Sequence, residues 1–210
     1  MRVWERLDPV HLDTLKEIGN IGAGHAASAL AAMLGVKINM KVPQTGILLL
    51  PEIPTLVGGE EDPVACVEFT VRGGSPQQDI LLLTQESAFL LVDMFLSRAA
   101  GSTRELDDMG ISVLTEVGNI LTGSFLNAFS QFCNLTFMPS VPAFAYDMLA
   151  AVLSSAFLEG GYFSDHALII ETEFFSQDIR LQGHFFLIPE RRSPGKDIFF
   201  FRDGLKIKEG

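Results

Sequence analysis

Glu17 and Asn20 lie three residues apart, and so do Glu116 and Asn119. The full pattern is Asp13-x3-Glu17-x2-Asn20-x22-Pro43. It returns 99 residues later as Ser112-x3-Glu116-x2-Asn119-x22-Pro142, with every spacing kept. Glutamate presents a fixed negative charge to a cationic partner. Asparagine presents an NH2 donor and a carbonyl acceptor, so it can hold one water molecule in one orientation. On a helix, positions i, i+4 and i+7 fall within roughly 60° of one another, so each set forms one polar stripe.

The elements around each stripe follow from its phase. Residues 9–34 read as a helix, with Asp8 as N-cap, Pro9 at the first helical position and Gly35 as the stop. Leu15, Ile18, Gly22, Ala26, Ala29 and Met33 make the expected buried stripe. The polar set lies away from it and faces solvent. A second helix is expected over 106–132, with Leu114, Val117, Leu121, Phe125 and Phe129 inward. Asparagine costs a helix roughly 0.5 kcal/mol against alanine, and that cost appears twice. Glycine inside a helix costs about 1 kcal/mol and usually signals a close approach. Tight packing of the long helices is the expectation for Gly22. Gly19 and Gly118, between Glu and Asn in sequence, are expected to leave bare backbone for a partner.

The rest of the chain repeats in outline. Strands are expected at 36–42 and 46–51 around Pro43, a hairpin at 63–71 and 79–84, and a helix at 85–98. The second copy adds strands at 135–139 and 141–146 around a proline and a helix over 147–158. A hairpin follows at 166–175 and 179–189, then a surface turn at 191–197 and a short strand or helix at the end. Over 31 aligned positions the copies share nine residues. The fold class is α+β: an internal duplication with a mainly antiparallel sheet and two long helices packed on it. A single domain is expected, with repeats at about 9–104 and 105–189 and a short C-terminal tail.

Composition narrows the function. The chain has 210 residues, 48% of them apolar and 17 of them phenylalanine, enough for a large core. The net charge of −11 argues against nucleic acid and anionic lipid as partners. The N-terminus is too charged for a signal peptide, and no apolar run reaches the roughly 18 residues that span a membrane. A soluble, cytoplasmic chain is expected. Cys66 and Cys133 sit in apolar contexts and read as buried, reduced thiols. His11, His25, His166 and His184 do not cluster in sequence, so neither a metal site nor histidine catalysis has support.

The twofold [Asp/Ser]-x3-Glu-x2-Asn-x22-Pro pattern resembles the CheC family of bacterial and archaeal chemotaxis, which with CheX and FliY contains phosphatases of the phosphorylated response regulator CheY. A CheX-type chain would carry one copy of the motif. A FliY chain would carry further domains. Two copies in a bare chain resemble the CheC branch itself. The resemblance implies that Asn20 and Asn119 position the water that attacks the regulator's aspartyl phosphate. Glu17 and Glu116 would hold the regulator, through its active-site lysine. Asp13 and Ser112 would support the contact, and Pro43 and Pro142 would shape the strand boundary behind the helix. This chain would bind no cofactor, with Mg2+ expected on the regulator. Its action would reset flagellar-motor signalling. An alternative of a different class is a non-catalytic adaptor for the receptor deamidase CheD, docked at an exposed apolar helix opening at Asp147. A solvated helix face left over from duplication is the third reading.

Overall fold

The computed structural model describes residues 9–35, 37–73, 77–159, 166–176 and 179–189. The expected turn at 191–197, the chain end and Asp8 lie outside them. Helix α1 (Pro9–Leu34) leads to strands β1 (Asn39–Lys41) and β2 (Thr45–Leu49), a 3-10 turn and the short helix α2 (Ile53–Val57). The hairpin β3 (Pro63–Gly73) and β4 (Gln77–Thr84) follows, then α3 (Gln85–Phe95). The second copy gives α4 (Asp108–Cys133), β5 (Phe137–Pro139), β6 (Ala143–Met148), α5 (Leu149–Glu159) and the hairpin β7 (His166–Ser176) and β8 (Ile179–Pro189).

All eight strands join one sheet, and every pairing is antiparallel. The two hairpins meet at its centre, where β4 pairs with β8. The short strands do not pair within their own copy. β1 and β2 from the first copy line β7 of the second, while β5 and β6 from the second line β3 of the first. The copies therefore exchange edge strands.

Alternation along the long strands builds a core on each face. Ala65, Val67, Phe69, Leu81, Leu83, Leu168, Ile170, Phe185 and Leu187 point to the face covered by α1, α3 and α4. Val64, Cys66, Ile80, Leu82, Ala167, Ile169, Phe186 and Ile188 point to the face covered by α2 and α5. Both thiols are buried and free. Burial pushes the Cys66 thiol up, with Glu68 adding to the effect, and pushes Cys133 up to about 11.

The two long helices share their stops. Gly35 ends α1 at φ +67°, its N–H donating to Ala31 at 2.9 Å. Asn134, 99 residues on, ends α4 in the same left-handed region at φ 53°. The N-cap of α4 is Asp107, whose carboxylate accepts from Gly110 N–H at 2.7 Å, so this helix opens two residues later than expected. That hydrogen bond, with Arg98 beside it, holds the Asp107 carboxyl below its ordinary value. By length and composition α4 is apolar enough to cross a membrane, yet its apolar stripe is packed in the core.

Two expectations fail here. Ala29 and Met33 are exposed, and the α1 stripe instead continues through Ala26, Ala27 and Leu30. The expected positions hold the helical period, with Met33 in phase with Leu15, but the buried face rotates along the helix toward Ala23, Ala27 and Leu30 and leaves Ala29 and Met33 outside. The helix expected to open at Asp147 begins at Leu149. Asp147 and Met148 belong to β6, paired to Val64 and Pro63. Leu149, Val152, Leu153 and Ala156 of α5 are buried, so this helix presents no exposed apolar face through those residues.

Candidate functional site: two polar stripes on paired helices

The first stripe stands where its phase puts it. Asp13, Glu17 and Asn20 are all exposed on α1, and Leu15 and Ile18 on the other side are buried. The second matches: Ser112, Glu116 and Asn119 are exposed on α4, and Leu114 and Val117 are buried. Among the described residues neither Glu17 nor Glu116 forms an ion pair. Each stripe is thus a carboxylate and a carboxamide one turn apart on a solvent-facing helix surface.

The x22 spacing has a structural basis in the first copy. Asn20 Oδ1 accepts a hydrogen bond from the Val42 backbone N–H at 3.3 Å. Val42 is the residue just before Pro43, it is buried, and it follows β1 directly. Proline restricts its predecessor to extended backbone and has no N–H of its own. The donor nearest the strand end is therefore Val42, and the asparagine accepts from it. β1 is held in turn by its pairing with β7, where Lys41 meets Glu173 at 2.9 Å. The Asn-x22-Pro interval spans this contact in the first copy, and spacing alone does not say which atoms meet.

The second copy is built differently. Val141, the counterpart of Val42, is 88% exposed, against 3% for Val42. Among the described residues no hydrogen bond joins it to Asn119. The turn before Pro142 is clipped to β3 instead. Ser140 Oγ accepts from Thr70 N–H at 3.1 Å and donates to the Val141 carbonyl at 2.8 Å, and Ser140 N–H donates to Thr70 O at 2.9 Å.

The glycines divide into two groups. A β-carbon on Gly22 would lie 2.5 Å from Phe125 Cδ1 and 3.1 Å from Phe125 Cα, so α1 and α4 touch there as expected. One on Gly118 would lie 2.6 Å from Val67 Cγ1, and one on Gly19 would lie 3.4 Å from Val42. Gly19 and Gly118 are buried against the sheet side, which overturns the expectation that they open the stripe to a partner. One residue before Asn is a 100° rotation away from it, and that rotation carries the glycine inward. Gly24 and Gly123 behave otherwise: among the described residues, the helix's own backbone aside, no atom lies within 4 Å of a β-carbon at either. Each is four residues past its Asn, on the polar stripe. Like the other helix glycines around the two pairs they suggest a close approach in sequence, but among the described residues nothing makes one.

Asp147, the residue considered for deamidase docking, is exposed at the edge of the sheet, and its carboxylate accepts from Met148 N–H at 2.7 Å. Pro43 is half-buried and Pro142 half-buried, each just beyond its β1 or β5 strand.

Comparison with known proteins agrees with the repeat. The sequence model of the CheC-like family matches residues 10–47 and 109–146, two windows offset by the same 99 residues and spanning both motifs. The chain is 33% identical over 198 residues to the CheY-P phosphatase CheC of Bacillus subtilis, covering 90% of this chain and 93% of that one. It is 24% identical over 125 residues to the flagellar motor switch phosphatase FliY of the same organism, covering 59% of this chain and 32% of that protein. Its fold is similar to the crystal structure of Thermotoga maritima FliY, with a TM-score of 0.69 at 20% identity over 88% of this chain and 91% of that one. A shared length, both motif copies and the level of identity to the Bacillus relative lead to one conclusion: the chain belongs to the CheC family.

Proposed function

We propose that this chain hydrolyses the aspartyl phosphate of a CheY-type chemotaxis response regulator and so resets flagellar-motor signalling. The observation that carries this reading is the pair of exposed Glu/Asn stripes, in a member of a family whose Bacillus relative is named a CheY-P phosphatase. Asn20 and Asn119 each orient a water in line with the phosphorus. The water oxygen attacks, the bond from phosphorus to the aspartyl oxygen breaks, and inorganic phosphate leaves with the regulator's carboxylate restored. Glu17 and Glu116 hold the regulator by an ion pair to its active-site lysine. Asp13 and Ser112 support that contact. Mg2+ and the lysine belong to the substrate and neutralise the phosphoryl oxygens, so this chain supplies mainly the position of the nucleophile. A gain of about 100-fold requires only about 2.7 kcal/mol, within reach of one oriented amide and partial exclusion of bulk water.

The adaptor reading rests on Asp147 at the edge of the sheet and draws no support from Leu149, Val152, Leu153 and Ala156 of α5, which are buried. The two readings part in one assay. The purified chain is added to a phosphorylated regulator, and loss of the acyl phosphate is followed. Faster loss than the regulator's own decay supports the phosphatase. No acceleration, together with binding to the deamidase, supports the adaptor.

A further inference from the structure

Asp13, Glu17, Asn20 and Gly24 occupy positions i, i+4, i+7 and i+11, which keeps them on one stripe, and Ser112, Glu116, Asn119 and Gly123 do the same. Glycine is among the weakest helix formers, and inside a helix it needs a reason. Gly19, Gly22 and Gly118 have one in the side chains they abut. Among the described residues Gly24 and Gly123 have none. Both have helical backbone well inside their helices, and neither has the positive φ that favours glycine; among the described residues, their own helix backbone aside, neither has an atom within 4 Å of the place a β-carbon would take. Alanine would fit and would strengthen both helices. The same unforced choice occurs twice, one turn beyond the asparagine each time.

We infer that Gly24 and Gly123 are clearance positions, where the main chain around the regulator's phospho-aspartate lies directly on the helix backbone. This inference rests on the phosphatase reading and extends it to how the substrate is seated. The occupant is a peptide backbone segment rather than a charged side chain, because a bare helix surface offers closeness and no charge. A methyl group at either position would lift the regulator by roughly the length of a carbon–carbon bond, about 1.5 Å. An error of about 1 Å in the reacting geometry can lower a rate 100-fold.

The test is Gly24→Ala combined with Gly123→Ala, compared with wild type and with Asn20→Ala/Asn119→Ala in the same acyl-phosphate assay. The glycine variant is expected to melt at a higher temperature than wild type and to lose at least tenfold in kcat/KM, the reverse of what lost stability would do. Activity at or above the wild-type level overturns the clearance role, as does a lower melting temperature, which would mean that the helix needs these glycines for itself. If the asparagine variant loses activity while the glycine variant keeps it, only the clearance role fails. If both keep it, the phosphatase mechanism fails.

Discussion

The α1 stripe and the α4 stripe present the same residues to solvent from different foundations. On the outside the copies agree: Glu, then Asn, then an open glycine. Both helices also end in the left-handed region at the same repeat position. Underneath they diverge. Asn20 is tied to a buried Val42, whereas Val141, the counterpart of Val42, is open to solvent and makes no such bond to Asn119 among the described residues. At the helix crossing α1 is thin, with Gly22 and Ala26, where the matching positions of α4 carry Leu121 and Phe125. The difference has a packing cause. Two helices related by a pseudo-twofold axis cannot both be bulky at their contact, so one copy becomes the groove and the other fills it. The duplicated surface was kept, while its support was divided between the copies.

Making the copies alike at the crossing should therefore do the most damage. Leu121→Gly, which gives α4 the α1 residue, empties a fully buried site and should cost about 4 kcal/mol. Gly22→Leu, the reverse exchange, drives a side chain into Phe125 and should cost about 3 kcal/mol. Denaturant titration reads both. Near-neutral values for the pair would contradict the division of labour at the crossing.

The joint between the copies should be nearly as sensitive. The buried Asp93 carboxylate accepts from Ser102 N–H (2.9 Å), Ser102 Oγ (2.9 Å), Thr103 N–H (3.0 Å) and Thr103 Oγ (2.6 Å), which fixes the loop from α3 to α4. Burial alone would raise this carboxyl, but the four hydrogen bonds outweigh it and hold it below its ordinary value of 3.8. Asp93→Ala should cost about 3 kcal/mol at neutral pH. The folded form binds its proton more weakly than the unfolded chain. Its contribution is thus complete above 3.8 and is lost as the pH falls through the lower folded value. The gap between wild type and variant should close in acid, and a gap that is flat with pH would rule out this linkage.

The smallest effect is the most diagnostic of the two stripes. Asn20→Ala strips the Val42 N–H of its partner and should destabilise the fold by about 1 kcal/mol. Asn119→Ala removes no such bond and should stabilise by about 0.5 kcal/mol through helix propensity. Equal shifts in calorimetry would mean that the stripes share one foundation after all.

Much of this was legible in the sequence, and the losses have physical reasons. The long helices, both hairpins and the exposed phase of the two stripes follow from short-range periodicity, which local residues determine. The exchange of β1 and β2 onto β7, and of β5 and β6 onto β3, did not. Strands of three to six residues carry no record of a partner more than sixty positions away. Alanine-rich α1 blurs its own buried edge at Ala29 and Met33, whereas Phe125 and Phe129 mark that of α4. Gly19 and Gly118 drew attention by standing beside the motif residues in sequence. Their neighbours in space are Val42, Ile170 and Val67, and the glycines beside the asparagines in space are Gly24 and Gly123.

The central claim is that each asparagine holds the attacking water, and it is tested most directly by the rate of acyl-phosphate loss from a phosphorylated regulator. Four proteins are needed: wild type, Asn20→Ala, Asn119→Ala and the double variant. Two independent sites predict that the accelerations of the single variants add up to that of wild type and that the double variant falls to the regulator's own decay. A double variant as active as wild type would contradict the account.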